Sequence, residues 1–179
     1  MGEINLQLFC STNPVRRTLL EPFSIGEFSY AADGHIAVRV PRRADVPVRE
    51  DAPDARRVFF DAGAETFVAP GAKKLPKPKT EECYQCDGDG KAHDCPNCNC
   101  ACATCAGTGR VSCDRNVCVT ISGMPFALAL WRRVCGLPGF KISPVRANEH
   151  QPLQFRFDGG EGAIMGLRSR LDTVIELLP

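Results

Sequence analysis

Alternating apolar and polar positions predict a β-hairpin in the first quarter of the chain. Large apolar residues occupy every second position across 28–30 and again across 36–40, and Asp33-Gly34 between them has the composition of a tight turn. Two short apolar runs, at 58–60 and 66–68, are further strand candidates. The first 71 residues are therefore predicted to be folded and rich in strands.

A similar pattern returns after residue 118. Strands are predicted for four segments, at 119–121, 140–142, 153–157 and 163–167. A glycine-rich turn at 158–162 joins the last two of them, and residues 171–179 fit either a strand or a short helix. The chain is thus expected to contribute strands from both of its ends.

Two short segments are predicted to be helices. Asn13 is a suitable N-cap, and Pro14 a suitable first residue, for a helix that runs to Leu20. A second, amphipathic helix is expected from Ser122 through Cys135, where apolar residues recur at helical spacing. Trp131 and the two isolated thiols, Cys10 and Cys135, are expected in the core.

Neither flank alone is large enough to bury a stable core. The prediction is therefore a single α+β domain, made of residues 1–71 and 119–179, with one sheet and both helices on the same face. Residues 72–118, which begin with a Pro- and Lys-rich linker, would interrupt this domain as an insertion.

The insertion has a different pattern, because cysteines replace apolar residues. Nine of the eleven cysteines fall within residues 83–118. The unit Cys-x-x-Cys-x-Gly-x-Gly occurs at 83–90 and at 102–109, and a further Cys-x-x-Cys lies at 95–98. Two Cys-x-x-Cys pairs can supply the four thiolates of a tetrahedral zinc site, and the glycines allow the positive φ that turns amides toward the sulfurs. Zn²⁺ is therefore the expected cofactor.

These motifs resemble the cysteine-rich zinc domain of DnaJ-type co-chaperones, which has four such units and two zinc ions. The resemblance implies one zinc ion on Cys83, Cys86, Cys113 and Cys118, and a second on Cys95, Cys98, Cys102 and Cys105. The chain departs from that pattern in three ways. The second unit lacks its glycines, the fourth is Cys-x4-Cys, and the spacers are shorter.

The residues themselves leave alternatives open. One zinc ion with spare cysteines, a disulfide framework and a redox-active Cys-x-x-Cys pair all use the same residue type. Iron also occupies S4 sites. Cys100 leaves the ligand register of the second set open, and His93 could replace a cysteine.

The distribution of charge along the chain bears on the class of partner. The chain has a net charge of +1, but residues 80–118 hold three basic and six acidic side chains, a balance of −3. Two zinc ions on eight thiolates would lower this to about −7. A phosphate-binding module should be basic, so the module is expected to be a structural staple or to contact protein, and not to recognise DNA directly. Thiolates on zinc indicate a cytoplasmic location, and no run approaches the ~20 apolar residues of a membrane helix.

Two segments of the flanks, Ala31-Ala-Asp-Gly-His-Ile-Ala-Val38 and Ala163–Arg168, carry a second resemblance. They are similar to the Ala-Thr-Asp-Gly-His-Arg-Leu-Ala hairpin and to the terminal Ile-Met-Pro-Met-Arg of a domain of the bacterial DNA polymerase sliding clamp. The resemblance implies a clamp-like domain with basic helices toward duplex DNA, and a ring of several copies. The implied DNA contacts are Arg16, Arg17, Arg132 and Arg133.

No phosphate loop, catalytic triad or acid–base carboxylate pair stands out in the sequence. The expected function is that of a non-enzymatic zinc-binding interaction protein, associated with DNA replication or repair or acting as a phage-type accessory. The alternative is a chaperone-like or adaptor module that binds extended peptide through the zinc domain.

Overall fold

The computed structural model describes residues 3–59, 67–70, 75–92, 100–113, 117–121, 123–143, 151–168 and 173–177. These residues form eleven strands: β1 (Phe23–Ile25), β2 (Phe28–Ala32), β3 (Ile36–Pro41), β4 (Thr80–Glu82), β5 (Arg110–Ser112), β6 (Val117–Ile121), β7 (Met124–Ala127), β8 (Lys141–Ile142), β9 (Leu153–Phe157), β10 (Gly160–Ile164) and β11 (Thr173–Leu177). They also form one α-helix, α1 (Leu128–Cys135), and three 3-10 turns, at Leu6–Phe9, Arg17–Leu19 and Ala55–Val58.

The largest sheet has six antiparallel strands in the order β1-β2-β3-β10-β9-β8. Its central pair joins the two flanks of the cysteine segment, because β3 lies beside β10 with Val38 opposite Gly162. Both outer strands are met by isolated bridges, Ser24 to Val48 at one edge and Val68 to Ile142 at the other. Strands from both ends of the chain thus share one sheet.

A second sheet and α1 complete the main core. The order of this sheet is β11-β6-β7, with β11 parallel to β6. The apolar face of α1 buries Leu128, Trp131 and Val134. Trp131 is only 1% exposed and lies 6.0 Å from Phe126, measured between ring centroids. Burial of this one face holds α1 in place, since a helix of two turns is not stable alone.

The predicted hairpin at 28–40 is confirmed. Its turn is closed by Asp33, whose Oδ1 accepts the backbone N–H of His35 at 2.8 Å and that of Ile36 at 3.0 Å. The strands predicted at 119–121, 140–142 and 153–157 are also present, and the last described segment is a strand. The strand expected at 163–167 is shifted toward the turn and ends at Ile164.

The prediction of two helices on one face is wrong for the described residues, which contain one α-helix. The first expected helix is only a 3-10 turn, because the Asn13 side chain closes a local turn by accepting the N–H of Val15. The N–H of Ser11 then bonds the carbonyl of Leu19, which folds this segment back on itself.

The second helix begins later than predicted. Residues 124–127 pair with β6 as β7, with Met124 opposite Ile121, and a turn at Gly123 with φ of +86° joins the two strands. The helix starts only at Leu128. Cross-strand pairing has therefore overridden the helical spacing of the first residues.

The remaining outcomes concern single residues and a membrane span. Trp131 and Cys10 are buried as expected, but Cys135 is exposed, so its prediction as a core thiol is wrong. Of the strand candidates before the linker, Val58 ends a 3-10 turn and Val68 forms a single bridge. Phe60 and residues 61–66 lie outside the described residues. In the described part of the chain, no helix has the length and apolar character that a bilayer crossing requires.

Candidate metal centre

A two-stranded sheet closes the base of the cysteine module. Strand β4 enters the first Cys-x-x-Cys-x-Gly-x-Gly unit, and β5 leaves the second. The two strands are antiparallel, with Thr80 opposite Ser112 and Glu82 opposite Arg110. This pairing brings the start of the first unit next to the end of the second, although 19 residues separate equivalent cysteines.

The two units have the same backbone conformation. The residue after the second cysteine has a positive φ in both, 47° at Asp87 and 51° at Ala106. The glycine that follows has a φ of 83° at Gly88 and 81° at Gly107. Non-glycine residues rarely adopt this region, so its occurrence at equivalent positions marks a repeated structural unit.

Reciprocal hydrogen bonds join the units. The N–H of Cys83 donates to the carbonyl of Gly109 at 2.8 Å. The N–H of Cys102, the equivalent residue, donates to the carbonyl of Gly90 at the same distance. The two units are therefore related by a pseudo-two-fold arrangement of backbone contacts.

The last glycine of each unit is required for space as well as conformation. The N–H of Gly90 donates to Sγ of Cys86 at 3.3 Å, and Gly109 makes the same bond to Cys105. A Cβ at Gly109 would lie 2.0 Å from the carbonyl oxygen of Gly88, and one at Gly90 would meet the opposite unit at 2.3 Å. Only glycine allows the two backbones to come this close.

Four sulfurs meet between the two units. The Sγ atoms of Cys83 and Cys102 are 3.8 Å apart, and those of Cys86 and Cys105 are 3.7 Å apart. All four lie within 4.8 Å of one another. A disulfide would require about 2.05 Å. In contrast, a tetrahedron with Zn–S bonds of about 2.3 Å has sulfurs about 3.8 Å apart, so the spacing fits tetrahedral zinc.

The quartet is enclosed by the protein. Relative exposures are 0% for Cys83 and Cys86, 1% for Cys102 and 7% for Cys105, and Val111 packs against them. Around one ion, four thiolates would fill a tetrahedral coordination shell and leave no place for a water or substrate. A closed S4 shell is typical of structural zinc.

Burial and hydrogen bonds shift the pKa values of two of the four thiols in opposite directions. Burial raises the pKa of Cys86. Burial also opposes ionisation of Cys105, but hydrogen bonds from the Gly109 amide and from the other three cysteines lower its pKa. A metal ion must displace the remaining protons to bind, and their release makes metal affinity depend on pH.

The ligand sets implied by the DnaJ resemblance are wrong in their pairing. The quartet takes one Cys-x-x-Cys pair from each implied set, Cys83 and Cys86 from the first and Cys102 and Cys105 from the second. The two pairs meet because β4–β5 pairing and the reciprocal glycine contacts join the two complete units. Cys102 and Cys105, which the resemblance assigned to a second site with Cys95 and Cys98, therefore lie with Cys83 and Cys86. Cys95 and Cys98, together with His93, lie outside the described residues.

The other cysteines of the segment that the structure describes, Cys100, Cys113 and Cys118, do not join the quartet. Cys113 follows β5 and its N–H bonds the carbonyl of Lys79 at 3.0 Å, whereas Cys118 is buried in β6 opposite Ala127. Cys100 is exposed. The described residues thus supply ligands for one zinc ion, and the expectation of a second ion is not supported.

The four arginines implied as DNA contacts do not lie on two α-helices, because Arg16 and Arg17 lie at a 3-10 turn. Arg16 precedes a 3-10 turn and donates to the carbonyl of Asp33, while Arg133, on α1, donates to Asp33 Oδ2 at 2.9 Å. Arg132 donates to the carbonyl of Pro76, in the linker that leads to the cysteine module. Arg17 is exposed. Only Arg16 and Arg133 converge, and the sequence offered no signal for their meeting at the hairpin turn.

No protein-family model matches this chain, and no curated protein or solved structure matches it.

Proposed function

We propose that this protein binds one zinc ion through Cys83, Cys86, Cys102 and Cys105, and that the zinc-stabilised module is a non-enzymatic interaction element for a protein partner. The observation that carries the proposal is the closed quartet of buried sulfurs at zinc-like spacing. A catalytic zinc keeps one position for water or substrate, and four buried thiolates leave none.

The module depends on its metal for stability. Among the described residues, the buried cluster of the module consists of the four cysteines and Val111. One apolar side chain contributes roughly 1.5–3 kcal/mol on burial, which cannot offset the ordering of some 30 residues. In small structural zinc sites metal binding has an apparent free energy of about 10–16 kcal/mol, a value that already includes the cost of folding the segment.

Charge favours a protein partner over nucleic acid. The described part of the module, residues 80–92 and 100–113, holds four acidic side chains and two basic ones, a balance of −2. Four thiolates on Zn²⁺ add a further −2, for a total of about −4. Phosphates would be repelled by this surface, whereas a basic protein surface would be attracted to it.

The experiment is a difference in metal content. Zinc per chain is measured by elemental analysis and native mass spectrometry on the intact protein and on the variant Cys83→Ser/Cys102→Ser. The variant should contain one zinc ion less, whatever else the chain binds. Cys10→Ser/Cys135→Ser is the matched control and should retain the full content. Equal content in all three proteins, or iron in place of zinc, would refute the assignment.

The association with DNA replication or repair depends on the sliding-clamp resemblance and is part of the proposal. It predicts duplex binding whose affinity falls with salt, and several copies per ring. A log–log salt slope near zero would remove direct DNA contact. The adaptor alternative predicts binding of an unfolded model polypeptide that is lost when a chelator removes the zinc.

A further inference from the structure

A polar cleft lies on the main domain, away from the cysteine quartet. It has a volume of about 210 Å³ and is lined by the loop that ends in Asn13, by Arg16, by the β2–β3 turn and by Arg133 of α1. The cleft is therefore large enough for a small polyatomic ion.

The two arginines in the cleft are held by a single residue. Arg16 donates to the backbone carbonyl of Asp33, and Arg133 donates to its Oδ2. Asp33 is itself fixed, because its Oδ1 closes the hairpin turn and its side chain is only 12% exposed. Two guanidinium groups from distant parts of the sequence are thus positioned before any ligand arrives, which reduces the entropy cost of binding.

The cleft contains more hydrogen-bond donors than negatively charged acceptors. Each guanidinium has five N–H donors, of which the contacts with Asp33 use one each. Two cations and one carboxylate give the lining a charge of +1, and His35, whose side chain is 58% exposed, adds to it when protonated. The hydroxyls of Ser11 and Thr12 provide neutral donors.

Other charges nearby do not cancel this one. Cys10 lines the cleft as a neutral thiol at physiological pH, because burial raises its pKa to about 11. The negative charges of Glu21 and Asp33 both help to raise the pKa of Cys10, but Glu21 does not line the cleft. Arg17, next to Arg16 in the chain, contributes another positive charge at the surface.

From this geometry we infer that the cleft binds a phosphate group between Arg16 and Arg133. Each guanidinium can donate two parallel N–H bonds to the oxygens of a phosphate group, and the hydroxyls of Ser11 and Thr12 are further donors. The ligand is inorganic phosphate or the terminal phosphate of a small phosphomonoester, since both present the same oxyanion. This site is independent of the zinc module and of the function proposed for it.

The test is calorimetric titration of the zinc-loaded full-length protein with inorganic phosphate and, separately, with O-phosphoserine. Saturable binding of one ligand per chain is expected. Loss of a charge-assisted pair should weaken it by about tenfold or more in Arg16→Gln and in Arg133→Gln. Arg17→Gln, an exposed neighbour outside the cleft, is the matched control and should bind normally. Arg133→Lys keeps the positive charge, and its affinity for the ligand should lie between that of the unsubstituted protein and that of Arg133→Gln.

Comparison of the two ligands shows whether the bound phosphate is the free ion or part of a larger molecule. Equal affinities indicate a site for the free ion, and a preference for O-phosphoserine indicates a phosphate carried by a larger molecule; either result supports the inference. It is overturned if neither ligand binds saturably, or if Arg17→Gln weakens binding as much as Arg16→Gln. Binding restricted to duplex DNA, with equal losses in all three glutamine variants, would indicate a diffuse basic surface and would also overturn it.

Discussion

Gly109→Ala tests how the two cysteine units are joined. Gly109 has a φ of +69°, and a Cβ there would lie 2.0 Å from the carbonyl oxygen of Gly88. The methyl group can be accepted only if the two units separate. That movement would stretch the hydrogen bond between the units that runs from the Cys83 N–H to the Gly109 carbonyl, now 2.8 Å.

The expected loss can be estimated from these contacts. Placing alanine at a positive φ costs roughly 1–2 kcal/mol, and one lost hydrogen bond costs about 1 kcal/mol. Together they amount to about 2–3 kcal/mol, which corresponds to a zinc affinity roughly 30- to 150-fold weaker. The affinity is measured by competition with a chromophoric zinc chelator at fixed pH.

Two matched variants separate the contributions. Gly88→Ala has a similar positive φ, +83°, but its Cβ would meet only the flexible Glu82 side chain at 3.6 Å, so it should show the strain without the clash. Gly26→Ala has a φ of +59° with nothing within 4 Å and lies in the main domain, so zinc affinity should not change. The reasoning is refuted if Gly109→Ala binds zinc as tightly as Gly88→Ala.

Further predictions concern the metal, a buried thiol and a core side chain. Chelation of zinc should unfold the cysteine module while Trp131, buried in the separate main core, keeps its fluorescence maximum; a red shift would show that the two parts unfold together. Burial raises the pKa of Cys10 from 9.0 to about 11, so the folded chain keeps a proton that the unfolded chain loses, and the free energy of unfolding should fall between pH 9 and 11. Cys10→Ala should remove that part of the pH dependence, and an unchanged profile would contradict the assignment. Trp131→Ala should lower the free energy of unfolding by about 3–5 kcal/mol in denaturant titrations, whereas substitution of the exposed Val15 should change it by less than about 0.5 kcal/mol.

The sequence predicted the parts of the fold that local patterns determine. The hairpin at 28–40 follows from alternation and from the Asp33-Gly34 turn, and the strand at 153–157 follows from alternation alone. The helix at 14–20 failed because Asn13 serves a turn as well as it serves a helix N-cap. At 124–127 the apolar residues satisfy both periods, and only pairing with β6 decides between them.

The candidate site shows a similar division. Residue type and spacing predicted a cysteine-bound metal, but the family likeness suggested the wrong partners for Cys83 and Cys86. The useful signal was already in the sequence, since 83–90 and 102–109 are the two units with both glycines. Those glycines make the close contact between Gly90 and Gly107 and between Gly109 and Gly88. The convergence of Arg16 and Arg133 on Asp33 depends on tertiary contacts that no local pattern encodes.

X-ray absorption at the zinc edge of the purified protein tests the central assignment most directly. Four sulfur atoms at about 2.3 Å around each metal ion are expected, with no nitrogen or oxygen in the shell. Protein that is free of metal, or a zinc shell with fewer than four sulfurs, would contradict the quartet of Cys83, Cys86, Cys102 and Cys105.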